Sequence, residues 1–555
     1  MRILECLSSR TSFLLDAGAG SGKTSSLIRA LNHIRSAERQ SLTRNAQRVA
    51  CITYTNVAKD EIIERTENDV LLQVSTIHDF LWSVIGGFQK DLKQALLNFN
   101  AELPAQSRRK QNQDELRQAL QMIDSIRYSD RGANFLEGRI FHDDLLGVAH
   151  VMFRHHPMLA TIVAAKYPFI FVDEYQDTHE KVISILMDHL LSCKNPPLIG
   201  FFGDKFQSIY PDVIGEMPAQ YEAVLAIIKK EENYRCSKAV IALLNRIRSD
   251  IQQVAAGDNV EGTACYVNLS RLNSDADVIA AAREAIQKGF NLHIEGEPKI
   301  LFLTHRLIAR KAGYEALWNA YNDRGTFARE RFQSGEDSIA QFFCMRVEPL
   351  LDAWRAGKTG KAISLLKEVG TSLAGRSEKE RVGVALNVLL AMAGSNASIR
   401  DVLSYIRSTS LIPLLDDLET GLKQTGIAAE PGTPEAEHEA FIAKLLEVPY
   451  KEVSTYRAVL EDKLPYSTKH GVKGAEFENV FVILDDAGAN WNQYSFIRLL
   501  AGSETNESRL HRTRNLFYVC CSRARVNLAV IQLGAITNGR TAIEALFGVK
   551  NVSLQ

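Results

Sequence analysis

The sequence predicts an α/β protein with two parallel sheets, each interrupted by a long helical stretch. Three observations carry this expectation. A glycine-rich loop, Ala17-Gly18-Ala19-Gly20-Ser21-Gly22-Lys23-Thr24, stands between a short apolar run and a helical pattern. Further apolar runs, rich in β-branched and aromatic residues, recur between helical patterns, which is how strands buried on both faces read. These runs fall into two groups, one before residue 233 and one after about 260.

In chain order, SFLLD (12–16) reads as a buried strand and SSLIRALNHIRSA (25–37) as the helix that follows the glycine loop. VACIT (49–53), FIFVD (169–173) and LIGFFGD (198–204) continue the first group. KILFLT (299–304), VFVILD (480–485) and NLAVIQL (527–533) form the second. Residues 83–160 are polar and helical, with a basic cluster at Arg108, Arg109 and Lys110. Residues 313–460 are also helical, with the segment GIAAEPGTPEAEHEA (426–440) reading as a linker. The expected division is 1–82 with 161–232, an insertion at 83–160, 233–312 with 461–555, and an insertion at 313–460.

Composition narrows the function classes. The chain has 555 residues, 46% apolar and 24% charged, which excludes disordered, collagenous and coiled-coil chains. Lys and Arg number 65 against 66 Asp and Glu, so overall charge points to neither a nucleic-acid nor a membrane partner, and any basic groove is local. The eight cysteines form no CxxC pair, which argues against zinc and iron–sulfur modules and fits a reducing cytoplasm. No apolar stretch reaches the ~20 residues of a membrane helix. Cleavage after MRILECLSSRTSFLL would destroy the glycine loop, so no signal peptide is expected.

The glycine loop carries the strongest chemistry. Glycines let backbone N–H groups curl around phosphates, and the helix N-terminus adds positive potential. Lys23 is expected as an exposed loop cation reaching the β- and γ-phosphates of ATP, and Thr24 as a Mg²⁺ ligand. Ala17 stands where the strict pattern has glycine. The strand ending in Asp173-Glu174 suits the other half of such a site: Asp173 would hold Mg²⁺, and Glu174 would orient or deprotonate the attacking water.

Asp-Glu-Tyr-Gln-Asp-Thr (173–178) resembles the signature of superfamily 1 helicases of the UvrD/Rep/PcrA type. CITYTNVAKDEIIERT (51–66), STIHDF (75–80), FHDDLL (141–146), GDKFQSIY (203–210), ENYRCS (232–237), FLTHR (302–306), TKHGVKGAEF (468–477) and RNLFYVCCSRA (514–524) resemble further motifs of that family, in order. The resemblance implies two RecA-like domains, each with a helical insertion, and an ATP site between them. It implies that Gln207 senses the γ-phosphate, Tyr234 stacks on adenine, Arg235 contacts the γ-phosphate and Glu476 bonds the ribose. It implies Arg523 as an arginine finger arriving from the second α/β domain, although a surface salt bridge is the alternative. On single-stranded or tailed DNA it implies Thr53, Tyr54, Thr55, Asn56, Thr76, His78, Tyr210, Thr468 and His470. His78 and His470 also fit core histidines.

Three departures stand out. No Gln lies in the sixteen residues before Ala17, where the family has an adenine-reading segment. Pro211-Asp212 follows Tyr210, where a second stacking ring is usual. Both insertions are shorter than in housekeeping helicases. Such compact chains resemble the helicase-like subunit of Gabija anti-phage systems, which partners an ATPase–nuclease. Little chain follows the last motif, so a fused nuclease is not expected. The expected activity is ATP-dependent translocation on DNA, 3′→5′ as in the family. The alternatives are a DNA-stimulated ATPase sensor that regulates a nuclease without processive unwinding, and a small-molecule P-loop ATPase or kinase.

The missing upstream Gln generates a first prediction. Stacking on Tyr234 is indifferent to which purine it meets, so ATP and GTP should compete for turnover within about tenfold of each other. Competition assays check this, and a strong preference for ATP would show that another segment reads the adenine edge.

Overall fold

The computed structural model describes residues 2–107, 109–129, 133–209, 213–269, 277–292, 294–302, 305–335, 337–371, 373, 375–423, 433–461, 466–467, 475–486, 494–534 and 539–554. The chain forms two compact units, Met1–Thr263 with Gln493–Val526, and Ala264–Asn492 with Asn527–Gln555. Residues 233–263 and 493–526, expected with the second sheet, thus belong to the first unit. Polar side chains explain the grouping. Asn233 and Gln253 bond the carbonyl of Ala19 in the glycine loop, and Asn515 bonds the carbonyls of Lys205 and Ser208.

The first unit holds a six-stranded sheet made of β1 (Phe13–Ala17), β2 (Val49–Thr53), β3 (Leu72–Thr76), β4 (Phe169–Asp173), β5 (Leu198–Gly203) and β6 (Ala226–Lys230). Its order is β3-β2-β4-β5-β1-β6, and every ladder is parallel. Side chains alternate across the pleat. Leu14, Ile52, Ile170, Val172 and Phe201 enter one core; Phe13, Leu15, Cys51, Phe171 and Phe202 enter the core on the opposite face. Both faces are buried, so the strands read as continuous apolar runs rather than alternating ones. Gly200 is small for a packing reason: a Cβ there would lie 2.7 Å from both the Phe13 and the Phe171 rings. Those rings pack with Phe202 in tilted and edge-on pairs with centroids 5.5–6.4 Å apart.

The expected insertion at 83–160 is helical, with helices Gln89–Glu102, Gln113–Met122 and His142–His155. Its basic run is built into local structure. Arg109 pairs with Asp144 at 2.9 Å and Asp143 at 3.2 Å, and Lys110 donates to the carbonyl oxygens of Ala101 and Leu103. Arg108 lies outside the described residues.

The second unit carries another six-stranded sheet, formed by β7 (Thr263–Leu269), β8 (Lys299–Phe302), β9 (Tyr466–Ser467), β10 (Phe477–Leu484), β11 (Ala524–Leu533) and β12 (Val552–Leu554). Its order is β9-β8-β10-β11-β7-β12. Its helical insertion is cored by Phe332, stacked between Tyr321 and Tyr456 at 4.1 Å on either side. The expected linker at 426–440 becomes helix Pro434–Leu446 in its second half. Thr433 accepts a hydrogen bond from the Ala436 amide at 3.2 Å, and Pro434 opens the helix. A Pro-containing run read as a linker is here an N-terminal helix signal. The eight cysteines, all described, form no disulfide. Among the described residues, no helix is long and apolar enough to cross a membrane.

Candidate active site

The site is built at the carboxyl ends of β1, β4 and β5, the end of a parallel sheet where loops converge on helix N-termini. Ala17 closes β1 in register with Lys230. Gly20 and Gly22 follow with φ of 74° and 75°, values that favour glycine. Gly18 meets a second requirement: its absent Cβ leaves room for the Gln253 side chain. Gly22 caps the helix Lys23–Ala37 without a side chain, so the first-turn N–H groups have no side-chain cap. Ser21 Oγ is buried and finds no hydrogen-bond partner among the described residues.

Lys23 is not the exposed loop cation expected. It is 9% exposed, at the first position of the helix, and its Nζ donates to Glu174 Oε2 at 3.0 Å. Burial lowers its pKa, but the carboxylates of Glu174 and Asp204 outweigh burial and hold it above the usual lysine range. Glu174 follows β4 in the left-handed region, φ 52° and ψ 50°, a conformation that non-glycine residues adopt at a cost and that clusters at functional sites. Asp173 ends the strand. Burial, then repulsion from Glu174, raises its carboxyl above the ordinary range despite Lys23. Its Oδ1 is buried without a partner among the described residues.

The turn after β5 supplies the third wall. Asp204 is fully buried, and its two oxygens accept separately: Oδ2 from Gln207 Nε2 at 2.8 Å, Oδ1 from Arg248 Nη1 at 3.1 Å. Gln176 joins this wall to the acidic pair, donating to Glu174 at 2.7 Å and accepting from the Asp204 amide at 3.1 Å. A Cβ at Gly203 would lie 2.3 Å from Gln176 Oε1, so that glycine makes the bridge possible.

Helix Glu507–Cys521 brings the last wall, and it belongs to the first unit rather than to the second domain. Tyr518 OH accepts from the Ala19 amide at 3.0 Å and from Arg248 Nη1 at 2.9 Å. Arg248 lies buried against the faces of Phe206 and Tyr518 and grips Asp250 through Nε and Nη2 at 2.9 and 3.0 Å. Arg523 follows the helix, fully buried. It bonds the Val519 carbonyl at 2.9 Å and Gln207 Oε1 at 3.3 Å, so it is not a surface salt bridge. Burial, then the nearby Arg235 charge, pulls its pKa down to about 10, which still leaves it charged at neutral pH.

Arg235 is half-buried, and its amide donates to Asn233 Oδ1. Tyr234 is 59% exposed, a ring available for stacking. Thr24 is half-buried on the first helical turn. Glu476 is exposed on the second unit, one residue before β10. Hard oxygen ligands and an unpartnered buried carboxylate oxygen suit Mg²⁺, so Asp173 and Thr24 fit that ion in chemical type.

The expected DNA residues divide. Tyr54, Thr55 and Asn56 are exposed past the end of β2, with Thr55 Oγ1 capping the next helix. Thr76 caps helix Ile77–Ile85. Thr53 is a correction: it is wholly buried, and its hydroxyl bonds the Thr55 carbonyl at 3.1 Å, shaping the turn instead of facing a strand. His78 packs parallel to Tyr128 and edge-on to His142. Burial, then the His142 ring, lowers its pKa to about 4, the state of a core histidine. Tyr210, Thr468 and His470 lie outside the described residues.

Sequence reading missed Gln176, Asp204, Arg248, Gln253, Asn233 and Tyr518. Several stand inside motifs already quoted, but their partners are distant in the chain. Arg248 and Gln253 stand in no motif, and RIRSDIQQ reads as a solvated helix end.

A family model described as an AAA domain matches residues 2–212. With the fold and this site, the match defines an ATP-hydrolysing P-loop enzyme of the superfamily 1 helicase-like type. The chain is GajB-like within that class. It is 26% identical to the Gabija protein GajB of Bacillus cereus (strain HuB5-5), over 96% of this chain and 95% of that protein. It is also 21% identical to a "Probable DNA helicase II homolog" of Mycoplasma genitalium, over 72% of this chain and 59% of that protein. A protein of the same description from Rickettsia felis is 25% identical over 42% of each chain.

The geometry makes Lys23 a test of the site. Lys23→Ala removes the cation facing Glu174 from a helix end that keeps its backbone. ATP turnover should fall by at least about 10³-fold, with circular dichroism unchanged. Near-normal turnover in a folded variant would remove the nucleotide assignment.

Proposed function

We propose that this chain is a DNA-stimulated ATPase that reports single-stranded or tailed DNA to a partner ATPase–nuclease without processive unwinding, in anti-phage defence. One observation carries the reading. The likeness to the Gabija protein covers 95% of that protein, whereas the likeness to the helicase II homologs covers 59% and 42% of theirs. The departures in sequence agree with it: Pro211-Asp212 replaces a stacking ring, and the insertions are short.

In this reading the phosphates of ATP lie against the loop 18–22 and the first turn of helix Lys23–Ala37. Lys23 exchanges Glu174 for the β- and γ-phosphates. This frees Glu174, still oriented by Gln176, to accept a proton from the attacking water. Gln207, Arg235 and Arg523 spread the charge of the transferring phosphoryl group. Mg²⁺ held by Thr24 and Asp173 would neutralise charge on the β- and γ-phosphates. Tyr234 stacks on the base. Tyr54, Thr55, Asn56 and Thr76 form the DNA side, with His78 and Thr53 supporting its shape.

The test pairs two measurements on one 3′-tailed duplex: ATP turnover and strand displacement by the lone protein. DNA should raise turnover, and log affinity should fall with log salt at a slope of about −0.7 per phosphate contacted. Strand displacement should be weak. Robust unwinding would return the chain to the translocating helicases, and turnover indifferent to DNA would defeat the reading altogether.

A further inference from the structure

Strand β6 ends on Lys230, and the chain then wraps the glycine loop. Lys230 pairs with Ala17 across the ladder, and its carbonyl accepts from the Gly18 amide at 3.5 Å. Four residues on, the Tyr234 amide donates to the Gly20 carbonyl at 2.9 Å. Both ends of the segment 230–234 are thus tied to the loop backbone. The side chains of Lys230 and Tyr234 start from fixed places beside it.

In sequence, Lys229-Lys230-Glu231-Glu232 reads as a solvated charge run. The fold separates its members: Lys229, Glu231 and Glu232 are exposed, whereas Lys230 is half-buried over the first turn of helix Lys23–Ala37. Its Nζ donates to Ser26 Oγ at 2.8 Å and to the Gly22 carbonyl at 3.4 Å. On another side Nζ comes to 5.9 Å from the centroid of the Tyr234 ring, close to the roughly 6 Å limit of cation–π attraction. An ammonium carries three N–H donors. Two meet neutral oxygens, and the distant ring is a weak partner for the charge. Burial pulls the pKa of Lys230 below the usual lysine range; Glu232 opposes this, and Arg29, exposed one turn further along the same helix, adds to it.

A nucleoside triphosphate presents its groups in a fixed order: γ-, β- and α-phosphate, sugar, base. Lys23 marks the β- and γ-phosphates and Tyr234 marks the base. Lys230 touches the turn that carries Lys23 and approaches the ring of Tyr234, so the charged group that arrives beside it is the α-phosphate. We propose that Lys230 is the counter-ion of the α-phosphate of the bound nucleotide, an assignment that rests on the reading of the ATP site above. An α-phosphate oxygen replaces the ring as the partner of the ammonium, while the bond to Ser26 keeps Nζ in place. A charge-assisted hydrogen bond is stronger than the contact it replaces. Hydrolysis does not break a bond at the α-phosphate, so this contact is the same in substrate, transition state and product. Lys230 therefore sets nucleotide affinity and leaves the chemical step alone.

The test compares wild type, Lys230→Met and Lys230→Arg by calorimetry with ATP, ADP and GTP, and by turnover. Methionine keeps an unbranched apolar stem and removes the charge. All three nucleotides should bind Lys230→Met about tenfold more weakly, the fold-change of one charge-assisted hydrogen bond. Its kcat should stay within about twofold of wild type, as for the loss of a uniform binding contact. Lys230→Arg should bind within about threefold of wild type, since it keeps the cation but not its shape. The melting temperature without nucleotide should stay unchanged in both. Sulfur in place of one non-bridging α-oxygen of ATP should weaken binding to wild type in one diastereomer, and that cost should be about threefold smaller in Lys230→Met. A loss for ATP without a loss for ADP would overturn the assignment by placing the cation at the γ-phosphate. A loss for one purine alone would overturn it by placing the cation at the base. An equal sulfur cost in both proteins, or a fall in kcat with affinity kept, would also overturn it. So would a lowered melting temperature with no recovery in Lys230→Arg, which marks a structural role. A wild type that binds no ATP would defeat the nucleotide reading itself, whereas ATP bound equally by wild type and Lys230→Met defeats only the role of Lys230.

Discussion

The buried pair of Asp204 and Arg248 is the interaction on which the rest of the site depends. Both side chains are shielded from water, and their separation is 3.1 Å. Such a pair offsets its desolvation only when the remaining donors and acceptors are also met. Here they are. Arg248 makes further bonds to Asp250 and Tyr518, and Asp204 also holds Gln207 and the Phe206 amide. Removing one partner of such a pair costs about 3–5 kcal/mol, because the other charge is left stranded. The consequence reaches beyond stability: the glycine loop, the turn after β5 and helix Glu507–Cys521 are referenced to one fixed group.

That reference frame explains how weak-looking elements become a precise site. The glycine loop has little side-chain packing of its own, yet Ala19 is held from two directions. Its carbonyl accepts from Asn233 and Gln253, and its amide donates to Tyr518. Glu174 adopts a left-handed conformation, and Lys23 and Gln176 fix its carboxylate. The arginines divide the labour by environment. Arg248 is neutralised by carboxylates and works on structure. Arg523 has amide and carbonyl partners, and a pKa lowered by burial.

What the sequence makes legible follows from how far each feature reaches along the chain. The parallel sheets are readable because strands buried on both faces are continuous apolar runs. The glycine loop and Asp173-Glu174 are readable because each chemistry is complete within a few neighbours. The connections among them are not, since Arg248 and Gln253 look like surface polar residues until the fold brings them to Asp204 and Ala19. Thr53 is hard to place from sequence for a related reason. A threonine at a strand end suits phosphate contact, but only the fold turns its hydroxyl onto Thr55. At 426–440 a Pro-containing, polar run reads as a linker, while the cap from Thr433 makes half of it helix. Likewise, the strand NLAVIQL marks the second sheet, but the helix before it joins the first unit, where its polar face finds the glycine loop and Gln207.

The central claim is that the carboxyl ends of β1, β4 and β5 form one hydrolytic centre in which Glu174 serves the attacking water and Lys23 the phosphates. Glu174→Gln tests it most directly, because the amide keeps the shape and the bond to Gln176 is within its reach, while it loses the ability to accept a proton. The measurement is ATP affinity by calorimetry beside turnover by phosphate release, on the same folded preparation. The account predicts ATP bound at least as tightly as by wild type, and turnover lowered by about 10²–10⁴-fold. Turnover near the wild-type rate, or loss of ATP binding with the fold intact, would contradict it.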